Sequence, residues 1–317
     1  MKSLLVTGGA GFIGSHLADA AIAAGYRTVV FDNLSTGTKS FVPRAAVFVR
    51  GDIRKPADVA SVFRKFRFDA VFHVAGQASQ TAAFADPTYD NRENVEGTIH
   101  VVDACVTYRV QRFIYASSMT VYGHPKTMPV SEEHMTSPIS YYGISKLAAE
   151  RYVLSTGLRR DIAAPFYPTS LRMFNIYGPR QSLSNPYQGV MAIFLGRILR
   201  NEPVIVYGDG KQSRDFLHID DAVRAWMAAL SRKESYHRAI NLGAGKRISV
   251  NSVIRQLIAH CGKDPHTYPV SYKPARPGEQ RHMEADMSLA KKALAFIPTI
   301  PLSAGLDTTI AWAKMQV

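Results

Sequence analysis

Tyr142 and Lys146 place a phenol and an ammonium four residues apart in the stretch YGISK. If that stretch opens a helix, the two side chains share a face. A free tyrosine, with a pKa of about 10, is a poor base near neutrality. A close ammonium lowers that pKa and makes the phenolate available to take a proton. The spacing by itself suits a surface helix pair equally well. Ser118 adds a second group. It stands in SSMTVYG (117–123), directly after an apolar run of strand type. In a wound parallel sheet, ligands bind at the carboxyl ends of strands. A serine there can hydrogen-bond a reacting hydroxyl and help pass its proton to Tyr142, or it can simply cap the strand. Ser118, Tyr142 and Lys146 are the catalytic candidates.

Gly8, Gly11 and Gly14 recur at every third position in GGAGFIG, between the apolar run Ser3–Thr7 and a helical pattern. Without Cβ atoms the chain can turn sharply and approach a pyrophosphate closely. The helix that follows offers free N–H groups and the positive end of its dipole. An ordinary tight turn would look similar, but the order strand, glycines, helix in a first βα unit points to a dinucleotide. Asp32 ends the second apolar run. A carboxylate there accepts hydrogen bonds from ribose hydroxyls and repels a 2′-phosphate, favouring NAD over NADP. An exposed turn aspartate in DNLSTG is the alternative. Asp52, in GDIR, reads on its own as a helix N-cap.

These groups need a scaffold. Strand patterns fall at Ser3–Thr7, Thr28–Asp32, Val47–Arg50, Ala70–Val74 and Phe113–Ser117. Helical patterns lie between or after them at Phe12–Ala24, Pro56–Phe66, Arg92–Tyr108 and Tyr142–Ser155. Apolar runs spaced by helices predict an α/β fold with a doubly wound parallel (Rossmann) sheet covered on both faces. Beyond Arg172 the pattern is irregular. Helices are expected at Gly189–Arg200, Asp220–Ser231, Val250–Cys261, Ser288–Ala295 and near Ser303–Met315, separated by glycine and proline clusters. This predicts a smaller α/β substrate domain. The division is 1–174 with 211–245 for the cofactor, and 175–210 with 246–317 for the substrate.

Composition narrows the choice of partner. The chain of 317 residues is 46% hydrophobic and carries 38 Lys+Arg against 25 Asp+Glu, a formal charge of +13. That excess favours anionic partners, yet no basic run with interleaved aromatics suggests nucleic acid. No apolar run approaches the roughly 18 residues of a membrane span, and the opening residues break into glycines too early for a signal peptide. The expected compartment is the cytoplasm, with no membrane partner. The two cysteines, Cys105 and Cys261, sit in helical patterns and read as thiols rather than a disulfide. No Cys/His cluster has metal-ligand spacing, so no metal is expected.

Together these stretches resemble the extended short-chain dehydrogenase/reductase family, and within it the nucleotide-sugar epimerases and dehydratases. The resemblance rests on TGGAGFIGSHL, Asp32, GDIR, HVAGQ (73–77), ENVEGT around Asn94, SSMTVYG, YYGISK, LRMFNIYGPRQ (171–181), YGDGKQSRDFLHIDD (207–221) and RPGE (276–279). It runs in order along nearly the whole chain. It implies NAD as cofactor, held by the glycines, Phe12, Ile13, Asp32, Asn33, Asp52 (at the adenine) and Ile53. Ala75, Gln77, Asn94, Tyr142 and Lys146 would complete that site, with Lys146 at the nicotinamide ribose. It implies a UDP-sugar substrate, with Asn175, Arg214 and Arg276 at the diphosphate. Ser118, Met119, Thr120 and Val190 would also meet the substrate, and Met283 would stand at a size-selecting gate. The segment SNPYQGVMAIF (184–194) resembles a nucleotide-binding stretch.

In this family the two residues after the catalytic hydroxyl help separate reactions. Dehydratases and uronate decarboxylases carry an acid there. Here Met119 and Thr120 follow Ser118, which resembles the 4-epimerases. The implied activity is 4-epimerisation through a transient 4-keto sugar, with a uronate epimerase, a dehydratase and a non-catalytic NAD-sensing protein as the rival readings. A homodimer through helices Arg92–Tyr108 and Tyr142–Ser155 is also implied, although Val95, Ile99, Val102 and Val106 suit core packing equally. The stretch RRDIAAPFYP (159–168) is longer than the family's connection, and the sequence gives no role for it.

Overall fold

The computed structural model describes residues 1–185, 189–276 and 278–316. The chain begins with β1 (Ser3–Thr7), α1 (Phe12–Ala23), β2 (Arg27–Asp32), β3 (Val47–Arg50), α2 (Pro56–Lys65) and β4 (Ala70–His73). It continues with α3 (Gln80–Ala85), α4 (Pro87–Asn91), α5 (Gly97–Thr107), β5 (Arg112–Ser118), α6 (Tyr141–Thr156) and β6 (Tyr167–Met173). Next come β7 (Asn175–Tyr177), α7 (Val190–Leu199), β8 (Val204–Tyr207), β9 (Ser213–His218) and α8 (Ile219–Ser231). Last are β10 (Arg238–Leu242), β11 (Arg247–Ser249), α9 (Val250–His260), β12 (Val270–Lys273), α10 (Ser288–Leu294) and α11 (Leu302–Lys314).

Seven parallel strands form the central sheet in the order β10-β6-β5-β4-β1-β2-β3. This is the expected doubly wound α/β architecture. Each face buries its own apolar cluster. One gathers Leu4, Val6 and Phe72 against α1 and α8, with Trp226 at its centre. The other packs Leu5, Val71 and Phe113 against α2, α5 and α6. Strand β1, buried along its whole length, shows why the run is apolar rather than alternating. A third cluster joins α7, α9 and α11 to β8. Two small sheets, β11-β9-β7 and β12-β8, accompany it. Among the described residues no helix is long and apolar enough to cross a membrane.

The expected strands of the first half and most expected helices recur within a residue at each end. The span Arg92–Tyr108 does not. It is α5 preceded by a π-turn over Arg92–Glu96, itself running on from α4. Two caps that periodicity alone does not reveal start α3 and α4. The Ser79 side chain accepts from the Ala82 amide at 3.1 Å, and Asp86 accepts from Tyr89 at 2.8 Å with Pro87 in the first turn. The irregular second half conceals seven short strands, β6 to β12. Strand β9 lies within 211–245, the segment expected with the cofactor domain, yet it pairs with β7 and β11 rather than with the main sheet. In the stretch 159–168, Phe166 is buried against Phe113, and Tyr167 opens β6. The longer connection therefore carries a core ring. Parts of the motifs at 184–194 and 276–279 lie outside the described residues, at 186–188 and 277.

Buried polar groups fasten the sheet to its neighbours. Glu150 on α6 and Arg172 on β6 pair at 2.6 Å with both side chains nearly sealed from solvent. The Ser117 hydroxyl donates to Glu150 at 2.6 Å, and Arg172 donates to the Tyr122 hydroxyl at 2.8 Å. Asp215 on β9 accepts three backbone N–H groups, from Ala244, Gly245 and Ala285. Burial raises its pKa to about 6. Removing one member of a buried ion pair leaves the other uncompensated. Arg172→Met should therefore lower unfolding stability by about 3–5 kcal/mol in urea titration. Adding Glu150→Gln should recover part of that loss.

Candidate active site

A cavity of about 710 Å³ opens at the carboxyl ends of the central strands. Its floor begins at the first glycines. Gly8 has φ +68°, and a Cβ there would meet the Ala75 backbone at 2.7 Å. A Cβ on Gly14 would fall 2.2 Å from the Gly8 carbonyl oxygen, so the start of α1 lies directly on the turn. Helix α1 begins after Gly11 with no side-chain cap and no acidic residue in its first turn. Its N–H groups and dipole thus stay available to an anion beside the cavity. This close-packed, uncapped turn fits a dinucleotide pyrophosphate, as the glycine spacing implied. Phe12 and Ile13 line the same wall.

Asp32 also lines the cavity and is 8% exposed. It accepts from the amides of Ala10 and Leu34 at 3.0 and 2.7 Å. Burial raises its pKa, and those two bonds oppose the rise. Asn33 and Ile53 stand beside it in the lining. Asp52 does not line the cavity. Arg54 donates to it at 2.5 Å and lowers its pKa to about 2. Nor is it an N-cap, because α2 starts at Pro56 after Lys55. Arg54 reaches on to Glu93 at 3.2 Å, and Glu93 does line the cavity.

The middle of the site hangs on one histidine. His73 is fully buried, and burial drives its pKa to about 3, so it is neutral. The Thr98 hydroxyl donates to the Asn94 carbonyl, so it accepts from His73 Nε2 at 3.0 Å. Thr7 Oγ1 accepts from the amides of Val74 and Ala75 and donates to His73 Nδ1 at 2.8 Å. This relay joins β1, β4 and α5 and fixes both the turn at Ala75 and the π-turn at Asn94. Ala75 and Gln77 line the cavity, whereas Asn94 sits behind it. The Asn94 amide donates to Asp90 at 3.0 Å and to Ser145 at 3.1 Å. Its buried oxygen, which has no hydrogen-bond partner, faces Gly76, where a Cβ would lie 2.5 Å away.

Ser118, Tyr142 and Lys146 converge on the same cavity. The Ser140 hydroxyl caps α6 by accepting from the Gly143 amide at 3.1 Å, which sets the helix that carries the tyrosine and lysine. Ser118 Oγ accepts from the Thr120 hydroxyl at 2.9 Å. Its own proton is thereby left for the phenol oxygen, and the Ser118 hydrogen bond does lower the Tyr142 pKa. Burial nevertheless outweighs that bond and pushes Tyr142 up to about 12. The simple expectation that Lys146 lowers the phenol pKa is therefore not met in the chain by itself. Lys146 is 5% exposed, its ammonium lies 4.4 Å from the centre of the Tyr115 ring, and burial brings its pKa down to about 7.

The expected substrate residues separate into two groups. Asn175 lines the cavity, and its buried amide oxygen has no hydrogen-bond partner among the described residues. Thr120 works behind Ser118. Met119 and Met283 are both buried, packed with Phe174 and Val130 in one apolar cluster. Met283, fully buried, does not line the cavity as a gate would. Val190 opens α7, next to Gly189 in the lining. The two arginines are engaged elsewhere. Arg214 is paired with Glu279 at 2.9 Å, the counter-charge its burial demands. Arg276 lies on the Tyr207 ring at 3.8 Å. Neither lines the cavity. Sequence reading missed Asp90, Glu150 and the His73 relay. Glu150 was within reach, since it follows Lys146 by one helical turn.

Comparison with known proteins agrees with this geometry. The sequence model of the NAD dependent epimerase/dehydratase family matches residues 4–243. A UDP-glucose 4-epimerase of Mycolicibacterium smegmatis is 31% identical over 98% of both chains. The crystal structure of UDP-glucose 4-epimerase with UDP-glucose from Thermotoga maritima superposes with a TM-score of 0.93, at 35% identity and 99% coverage of each chain. That of the Thermus thermophilus UDP-glucose 4-epimerase complex with NAD gives 0.91, at 33% identity, covering 99% of this chain and all of the other. Gly14→Ala should abolish the rise in melting temperature that NAD produces in wild type, read by thermal shift. An undiminished rise would remove the glycine turn from the cofactor site.

Proposed function

This chain belongs to the NAD dependent epimerase/dehydratase family, and we propose that it acts as an NAD-dependent 4-epimerase of UDP-sugars of the glucose/galactose type, the N-acetyl forms included. The observation that carries the reading is the convergence of Ser118, Tyr142 and Lys146 on the cavity that holds the glycine turn and Asp32. Bound NAD supplies a reversible two-electron acceptor for a secondary alcohol. The chain supplies the proton chemistry and the grip. Ser118, oriented by Thr120, donates to the phenol oxygen and stabilises it as phenolate. Tyr142 then takes the proton of the sugar 4-hydroxyl and returns it after the ring has presented its other face. A pKa of about 12 makes Tyr142 a reluctant base in the chain alone, so the positive charge of the oxidised cofactor, absent from the chain alone, would be what brings it into range. Asn175, in the cavity wall, meets the diphosphate while the 4-keto sugar turns, and Arg214 and Arg276 join it only on leaving Glu279 and the Tyr207 ring.

The unit 1–174 with 211–245 is assigned to the cofactor and 175–210 with 246–317 to the nucleotide sugar, save that β9, within 211–245, pairs with β7 and β11 and belongs with the second unit. Two unpaired thiols, Cys105 and Cys261, suit a reducing compartment, in keeping with the cytoplasm. A homodimer is supported by one face of α6. Tyr141, Ile144 and Tyr152 lie along it at 47, 52 and 52% exposure. Val95 and Val102, expected as alternatives between interface and core, are buried within the chain. A large apolar side chain left in water on a helix face is a candidate contact. Ile144→Glu should shift the protein from dimer to monomer in light scattering after gel filtration.

The decisive experiment mixes the protein with UDP-glucose and follows the products by NMR. UDP-galactose should accumulate to equilibrium, with no deoxy-keto sugar; a deoxy product would identify a dehydratase instead. Tyr142→Phe should lose about 10²–10⁴-fold in kcat while binding UDP as wild type does. Full turnover in that variant would overturn the assignment of the base.

A further inference from the structure

Two buried carboxylates act on the Lys146 ammonium, those of Asp90 and Glu150. They are not equivalent. Glu150 is already compensated, because Arg172 grips both of its oxygens, at 2.6 and 3.0 Å. Asp90 is 1% exposed, and every donor around it is neutral. The Gln77 amide donates to it at 2.7 Å and the Asn94 amide at 3.0 Å. Among the described residues no cation makes an ion pair with it. Lys146 presents the complementary problem. Its ammonium is buried against an aromatic ring, and among the described residues no carboxylate is in ion-pair contact with it. A charge held this far from water must find an opposite one nearby or give up its proton.

The geometry brings the two together. The Asn94 amide bridges Asp90 to Ser145, the residue before Lys146, donating to both at 3.0 and 3.1 Å. The other groups facing the ammonium are the Tyr115 ring on β5, His73 on β4 and the already compensated Glu150, while Tyr142 stands one turn earlier on α6. His73 is neutral. We propose that Asp90 is a positioning residue whose carboxylate is the counter-charge that keeps Lys146 an ammonium, while the same carboxylate holds Gln77 and Asn94 in place at the cofactor wall. One group thereby sets both the charge on the catalytic helix and the turn after β4.

The charge and the scaffold can be separated experimentally. In Asp90→Asn the amide oxygen can still accept from Gln77 and Asn94, and only the charge is lost. Lys146 should then release its proton more readily. Its Nζ titration midpoint, followed by ¹⁵N NMR of lysine-labelled protein, should fall by about one pH unit. The basic limb of the epimerisation pH profile should move down with it, and Asp90→Glu should restore both. The reciprocal variant needs no change at Asp90. Lys146→Met should raise the Asp90 carboxyl midpoint in ¹³C NMR, so the coupling remains measurable if Asp90→Asn fails to fold. An Nζ midpoint unmoved in Asp90→Asn, or an Asp90 midpoint unmoved in Lys146→Met, overturns the proposal, even if activity falls. The pH-profile arm rests on the epimerase reading, whereas the two NMR titrations stand without it. A shifted midpoint in a protein that does not epimerise UDP-glucose would sink that reading and leave Asp90 in its role.

Discussion

The site depends on holding an ammonium and a phenol in a place almost without water. Dry surroundings strengthen every interaction made with a reacting hydroxyl, and they also tax each charge brought there. Helix α6 meets both demands on successive turns. It begins at the Ser140 cap, presents Tyr142 and Lys146 to the cavity, and one turn later buries Glu150 against Arg172. The ion pair does more than bolt α6 to β6. By absorbing the charge of Glu150, Arg172 keeps that carboxylate from acting as the direct partner of Lys146, so the balance at the cavity is left to other groups.

The central sheet makes this placement possible. In parallel β1, β4 and β5, Thr7, His73 and Tyr115 stand level in register, and β5 runs three residues further to bring Ser118 to the cavity. The His73 relay is built of neutral groups only. A charged histidine would add a second cation beside Lys146, and burial forbids it. What reaches the cavity from this relay is backbone geometry, namely the turn at Ala75 that packs on Gly8 and the π-turn that carries Asn94. Cofactor wall and catalytic helix are thus joined through hydrogen bonds that cost the site no net charge.

The candidate residues that the structure brings to one cavity were legible because each is local. Gly8 to Gly14, Asp32, Ser118, Tyr142 and Lys146 lie within single short segments whose spacing has a direct mechanical meaning. Their supports were not, because they are pairings across long stretches of chain. Nothing near Arg172 in sequence names Glu150 as its partner, and nothing near Arg214 names Glu279. The short strands β7, β8, β11 and β12, three or four residues each, leave too little periodicity to read. The cap at Asp86 with Pro87 was readable and would have marked α4, and with it Asp90.

The tripeptide at the catalytic serine shows how packing sharpens a resemblance. Related dehydratases carry acids after the catalytic hydroxyl, and here Met119 and Thr120 stand in those places. Their absence of charge is more than a missing group. Met119 is packed among Met283, Phe174 and Val130, so a carboxylate there would be buried among apolar neighbours. The Thr120 hydroxyl is already committed to Ser118, and an acceptor-only carboxylate could not replace it as the donor that orients the serine. Elimination chemistry would therefore need a different wall around Met119 and a different way of aiming Ser118. The surroundings of both positions, and not merely their identity, leave no place for an acid beside Ser118 and so agree with the proposed proton exchange at one sugar hydroxyl.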